Sequence, residues 1–205
     1  METKNLAHAP ADPQAYAESL GAATRKKYRT YAYASTWFGC FTDVVIDNSA
    51  ILILYFAMLG GSESLIMLST SLVGIVSMFL LIPTARIVDR LGAKRVINIS
   101  CAIAMFSYLM MASGAFFGHE IGKAVAFAGC LIFCVSKPLW IGAWMPLLSN
   151  ILLPSERGEF FGFMRFTYYI LTASVLSAVG FLMGENPPEW FLQAVIAATG
   201  LLVIG

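Results

Sequence analysis

The sequence has few charged residues. Asp, Glu, Lys and Arg make up 12% of its 205 residues, whereas about 25% is usual for a soluble domain. Hydrophobic residues make up 59%, and the formal net charge is +1. A net charge this close to zero gives no indication of nucleic-acid binding, and the composition is typical of a membrane protein.

Cysteines are scarce, and none has the spacing of a zinc site or an exposed disulfide. All four lie in apolar runs. Cys130 and Cys134 share a helix face at i and i+4, which favours a packing role over metal binding. The sequence also lacks a nucleophile–base pair, a glycine-rich phosphate loop and a signal-peptide cleavage pattern. We therefore expect no enzyme activity, no metal and no cofactor.

Six apolar runs dominate the chain after an N-terminal tail at 1–30. They predict an all-α membrane protein with six transmembrane helices, since a span needs about 20 residues. The last run would cover only about 24 Å, so we expect its helix to be truncated and a second half of the protein to be missing. The predicted spans cover about 31–59, 65–85, 96–117, 124–152, 160–183 and 190–205.

The basic residues lie on one side of the predicted spans, and only Lys123 flanks the other side. Short basic loops stay in the cytoplasm. We therefore expect a cytoplasmic N-terminus in an inner or plasma membrane. The residues on the predicted cytoplasmic side are Arg25, Lys26, Lys27, Arg29, Arg86, Arg90, Lys94, Arg95 and Arg157.

The stretch 85–95 contains four basic residues, one acid and one glycine, and is predicted to be a loop between the second and third spans, with the second span ending near Pro83. Gly92 can adopt the positive φ of a tight reversal between helices. The stretch resembles the pattern G-x-x-x-D-[RK]-x-G-x-[RK]-[RK] of the major facilitator superfamily. The matching residues are Asp89, Arg90, Gly92, Lys94 and Arg95, and Ala85 replaces the first glycine.

A second resemblance lies at 154–158, which is similar to that family's second internal loop. Together these motifs make 30–205 similar to the N-terminal six-helix half of such a transporter. The resemblance implies two six-helix halves that rock around a central cavity. It also implies that Asp89 accepts charge from Arg90 and Arg95 in a cytoplasmic gating network, with Arg157 as a candidate member. The alternative is that the loop only sets topology.

Ionisable residues within the predicted spans are functional candidates, because each costs at least ~2.5–3.5 kcal/mol to insert. Asp43 and Asp47 share one face of the first span, followed by Asn48, and Lys137 lies at similar depth in the fourth span. A carboxylate paired with Lys137 is interpreted either as a proton or cation site or as a fixed bridge between helices. One lysine cannot neutralise both acids, which favours the functional interpretation.

Further candidates lie on the fourth and fifth spans. Arg165 shares a helix face with Tyr168, Tyr169 and Thr172. Arg165 either contacts substrate or extends to the cytoplasmic interface. Trp140 and Trp144 follow Lys137 at i+3 and i+7, where they either stack on a ring-bearing substrate or pack against other helices.

These observations predict a secondary active transporter for a small polar organic solute, coupled to protons. Its expected partners are the lipid bilayer, the solute, H+ and a C-terminal six-helix half. The fifth span lacks the G-P-x-x-G-G signature of drug/proton antiporters, so drug antiport is disfavoured, while uniport, symport and antiport all remain open. The rival interpretations are a non-transporting sensor or scaffold of the same fold, and a half-size transporter that acts as a dimer.

Overall fold

The protein is helical throughout the residues that the computed structural model describes, which are 13–46, 50–184 and 187–203. These residues contain no β-strand, and one 3-10 turn lies at Gly114–Phe116. The helices are α1 (Pro13–Ser19), α2 (Ala22–Ile46), α3 (Ala50–Met58), α4 (Glu63–Leu91), α5 (Ala93–Ser113), α6 (His119–Ser149), α7 (Pro154–Met183) and α8 (Glu189–Leu202).

Four helices, α4 to α7, are long and apolar enough to cross a membrane. Helices α2 and α3 together form a fifth candidate span, which is bent by 43° where they meet. Helix α8 is apolar but has only 14 residues. The length and composition of these helices make the chain a multi-pass membrane protein.

The break between α2 and α3 falls within the first apolar run. Helix α2 begins at Ala22 and therefore includes the basic residues that precede this run. It ends three residues after Asp43, and α3 resumes at Ala50. The predicted site residues Asp47 and Asn48 lie outside the described residues.

Apart from Gly92, the stretch 85–95 is helical, so the prediction of a loop over its whole length is wrong. Helix α4 continues through Pro83 to Leu91, and α5 begins at Ala93. Membrane helices tolerate an internal proline when neighbouring groups satisfy the freed backbone atoms. Only Gly92 separates the two helices. Its φ is +82°, and its N–H donates to the Val88 carbonyl at 2.8 Å.

The turn between α6 and α7 is also shorter than predicted. Helix α7 begins at Pro154, so the stretch 154–159, predicted as a loop, forms its first turns. Proline suits the first position of a helix because its φ is already helical and its missing N–H would have no partner there.

The helices pack as two interlocked sets of three, with α2, α4 and α5 in the first set and α6, α7 and α8 in the second. The first helix of each set contacts the second helix of the other, since α2 packs on α7 and α6 packs on α4. The third helices, α5 and α8, pack on each other. Helix α5 also packs along α6, as α8 does on α2.

The largest buried apolar clusters lie at opposite ends of this bundle. One joins α3 to the later halves of α2 and α5 and the early halves of α6 and α8, around Tyr55, Phe56 and Tyr108. The other joins the start of α2 to the end of α6 and the start of α7, around Trp144, Leu148 and Phe160. We call the end that holds the second cluster, Gly92 and Arg157 the basic end. The polar residues described next lie between the two clusters.

Candidate functional site

Asp43 on α2 accepts hydrogen bonds from two other helices. Its Oδ1 atom lies 2.5 Å from Nζ of Lys137 on α6. Its Oδ2 atom accepts a hydrogen bond from the Tyr168 hydroxyl on α7. The side chains of Asp43 and Lys137 are 18% and 15% exposed, respectively. We call these three residues the Asp43 network. It connects the three helices through charge-assisted hydrogen bonds, which are stronger than neutral ones.

The Asp43 network lies deep within the bundle. Tyr168 is 14 residues from the first residue of α7 and 15 from the last. Lys137 is 18 residues from the start of α6 and 12 from its end. At 1.5 Å per residue, both side chains are therefore at least about 18 Å from the nearer end of their helix. An ion pair at this depth is costly in a membrane and marks a candidate functional site.

A cavity of about 460 Å³ adjoins the Asp43 network. Its volume is in the range of small-molecule sites, which is about 300–1,000 Å³. We call it the central cavity. Of the predicted solute-site residues, all seven that the structure describes line it. They are Asp43, Lys137, Trp140, Trp144, Arg165, Tyr168 and Tyr169.

Aromatic residues form a large part of the central cavity's surface. The rings of Trp140 and Trp144 stack with their centroids 5.3 Å apart and their planes 17° from parallel. Trp144 is also part of the apolar cluster at the basic end and is 6% exposed, whereas Trp140 is half-buried. Tyr168 and Tyr169 make an edge-to-face contact at 5.4 Å. This region provides flat apolar surfaces close to two cationic residues.

Two further cavities adjoin the same lysine. One of about 100 Å³ shares Asp43 and Lys137 with the central cavity and extends to the hydroxyls of Ser100 and Ser136. The other, of about 390 Å³, lies between Lys137 and hydroxyl-bearing residues of α4, including Ser77. The Ser77 hydroxyl is buried and has no hydrogen-bond partner among the described residues. Lys137 therefore lies where three cavities meet.

The sequence did not identify every residue of the central cavity. Thr36 also lines it, together with Ile141, Met145 and Met164, as does Thr172, which the sequence assigned to the face of Arg165. Thr36 lies seven residues before Asp43 and so shares a helix face with a predicted residue. Helical spacing was the available signal for Thr36, whereas the apolar members have no such signal.

The predicted gating residues lie at the basic end, away from the central cavity. Asp89, Arg90, Lys94 and Arg95 are exposed, and the described part of the chain contains no salt bridge to any of them. Arg157 is not joined to Asp89. Instead its Nη2 donates to the Ser149 carbonyl at 3.1 Å, near the C-terminus of α6, where a cation is favourable.

Comparisons of this chain with protein-family models, curated proteins and solved structures found no match. The functional interpretation consequently depends on the residues and geometry described above.

Proposed function

We propose that this chain is the N-terminal six-helix half of a major facilitator superfamily transporter. It acts in an inner or plasma membrane with its N-terminus in the cytoplasm, and moves a small polar organic solute by alternating access coupled to protons. The observation that carries this proposal is the Asp43 network, in which an acid, a lysine and a tyrosine from three helices meet at mid-depth beside a cavity of ligand size.

The helix packing supports the proposal. Each half of such transporters contains two three-helix repeats of inverted topology. In this chain, the first helix of each three-helix set packs on the second helix of the other set, since α2 contacts α7 and α6 contacts α4. The 43° bend between α2 and α3 lies close to Asp43, and discontinuous helices at mid-membrane are common at transporter binding sites.

In the proposed mechanism, Asp43 carries the proton. As a carboxylate it accepts hydrogen bonds from Lys137 and Tyr168, and these bonds hold α2, α6 and α7 together. Protonation removes the negative charge, so the bonds become weaker neutral interactions. Lys137 is then released to interact with solute or with the hydroxyls of the adjoining cavities. The relative positions of the three helices thus depend on the protonation state of Asp43.

The decisive experiment measures transport by the complete protein in proteoliposomes with an imposed pH gradient and an internal pH dye. The solutes are sugars, organic acids, amino acids and nucleosides. We expect at least one solute to enter faster with the gradient and to move protons. If no solute enters and none moves protons, the protein is not a transporter, and a sensor or scaffold is favoured.

Replacing the acid tests its assigned role. We expect Asp43→Asn to abolish uptake driven by the pH gradient while solute exchange continues, because an amide can accept hydrogen bonds but cannot carry the proton. Glu63→Gln is the matched control, since Glu63 is an exposed acid in the first turn of α4 and its neutralisation should leave coupling intact.

A double variant separates coupling from a purely structural bridge. Asp43→Asn with Lys137→Gln removes both charges and so leaves no unpaired ion in the bundle. If the pair only holds helices together, this variant should regain proton-driven uptake. If Asp43 carries the proton, the variant should fold at least as well as Asp43→Asn and should remain uncoupled.

A further inference from the structure

Arg165 is a cation beside the central cavity that has no partner among the described residues. It lines the cavity, yet within the described residues it forms no salt bridge and no side-chain hydrogen bond. It lies 11 residues from the first residue of α7, which is about 16 Å along the helix. Lys137, in contrast, already pairs with Asp43. Arg165 is exposed in the helical bundle. A guanidinium at such depth in a membrane requires water or an anionic partner.

Within the part of the chain that the structure describes, the formal charge of the central cavity's lining is therefore positive. The charged lining residues there are one acid, Asp43, and two bases, Lys137 and Arg165. The Asp43–Lys137 pair is neutral overall, so no described residue compensates the charge of Arg165. An anionic solute supplies the missing charge, and a carboxylate matches the two parallel donors of a guanidinium.

The aromatic residues define the rest of the ligand. Trp140 lines the cavity and is supported by Trp144, which stacks on it. Tyr168 and Tyr169 lie on α7 with Arg165, three and four residues further along, and so occupy the same helix face. A planar ring between these surfaces gains stacking and buries apolar area.

We infer that the solute is a monoanionic aromatic acid, with its carboxylate on Arg165 and its ring against Trp140. This inference rests on the proposed function, because it names the solute class of the same cavity. Asp43 then keeps its proposed role in proton exchange while the solute is bound. Charge recognition and proton coupling are thus assigned to different residues.

Binding of naphthalene-2-carboxylate to the complete, purified protein tests the inference by isothermal titration calorimetry. Naphthalene-2-carboxamide keeps the ring but not the charge, and cyclohexanecarboxylate keeps the charge but not the aromatic ring. We expect the aromatic acid to bind more tightly than either analogue. No binding of the aromatic acid, or equal binding of the amide, would overturn the inference.

Two variants assign the contacts. Arg165→Gln should weaken binding of the acid by about ten- to a hundredfold, the range expected for a hydrogen bond to a charged group, and should leave the amide unaffected. Trp140→Leu should weaken binding of the aromatic acid by about two- to tenfold and should spare cyclohexanecarboxylate. The matched controls are Arg86→Gln and Trp190→Leu, both at exposed positions that do not line the cavity.

The outcomes distinguish this inference from the proposed function. If solutes of another class drive proton movement while naphthalene-2-carboxylate fails to bind, the assigned solute class is wrong and the transporter assignment stands. If the aromatic acid binds in an Arg165-dependent manner but no solute moves, the site is correctly assigned and the proposed transport function fails. Unchanged binding in Arg165→Gln contradicts the assigned carboxylate contact.

Discussion

At the residue scale, the chemistry of this protein centres on one carboxylate. Asp43 on α2 accepts hydrogen bonds from Lys137 on α6 and Tyr168 on α7. These hydrogen bonds connect the three helices through one charged group at mid-depth. Arg165 lines the same cavity but differs from Asp43, because no described residue neutralises its charge. These two residues account for the separate roles proposed for proton and solute.

Tyr168 provides a test of the network that does not alter any charge. Tyr168→Phe removes the hydroxyl that donates to Asp43 and should lower the free energy of unfolding by about 1–3 kcal/mol, the usual range for a lost hydrogen bond to a charged group. Thermal unfolding in detergent measures the change. Tyr169→Phe is the matched control, because Tyr169 is 61% exposed and donates no hydrogen bond to Asp43.

An equal loss of stability in both tyrosine variants would show that the hydroxyl of Tyr168 contributes nothing specific. The Asp43 network would then consist of the ion pair alone, and α7 would be held to α2 by packing.

At the scale of the elements, small residues allow the helices to approach closely. Gly129 on α6 faces α5, where its carbonyl accepts a hydrogen bond from Ser107 Oγ at 2.7 Å. A Cβ atom at Gly129 would lie 2.6 Å from Met111 Cγ and 2.9 Å from the Ser107 carbonyl oxygen. The second contact is with backbone and cannot be relieved by a side-chain rotation, so α5 and α6 would have to separate.

Gly129→Ala should therefore destabilise the protein by about 1–3 kcal/mol, the usual cost of overpacking, and should lower the midpoint of thermal unfolding in detergent. Gly180→Ala provides the contrast, since a Cβ atom at Gly180 of α7 has no neighbour within 4 Å and should leave the midpoint unchanged or raise it. A similar decrease for both variants would mean that close packing of α5 on α6 is not what stabilises this pair.

Helices α4 and α7 differ from α5 and α6 in burial. Much of the apolar surface of α4 and α7 is exposed, including Met78 and Phe79 on α4 and Phe166 and Phe181 on α7. Under the proposed function, these are the helices with most surface available to lipid or to a second half of the transporter.

At the scale of the whole molecule, the charge distribution predicts an orientation in the membrane. The basic residues concentrate at one end, and under the positive-inside rule we expect that end to lie in the cytoplasm. This orientation can be tested by labelling introduced cysteines. The native cysteines should react little, because Cys40, Cys130 and Cys134 are buried and Cys101 is half-buried.

Single cysteines placed at the two ends should respond differently to a membrane-impermeant maleimide. Ser64 and Ala85 are exposed at opposite ends of α4. We expect Ser64→Cys to be labelled in intact cells and Ala85→Cys only after the membrane is permeabilised. The unmodified protein controls for labelling of the native cysteines. The opposite pattern would place the N-terminus outside the cell and would contradict the assigned topology.

Some features of this protein follow from the sequence alone. The apolar runs predicted an all-helical membrane protein, because a chain in lipid must satisfy its backbone polar groups internally. The pairing of Asp43 with Lys137 could be predicted as one of the options, because an unpaired charge is costly to insert into a membrane and both residues were predicted at similar depth. The glycine at position 92 also indicated where α4 and α5 meet, since few other residues adopt a positive φ.

Only the tertiary structure decided how these elements combine. The extension of α4 through Pro83 to Leu91 could not be predicted, because local rules place a helix end near a proline and neighbouring helices can override them. The donation of Tyr168 to Asp43, and the convergence of Arg165 and the stacked tryptophans on one cavity, depend on how α2, α6 and α7 pack together. Helical periodicity assigns a residue to a face, but long-range packing determines which other helix that face meets.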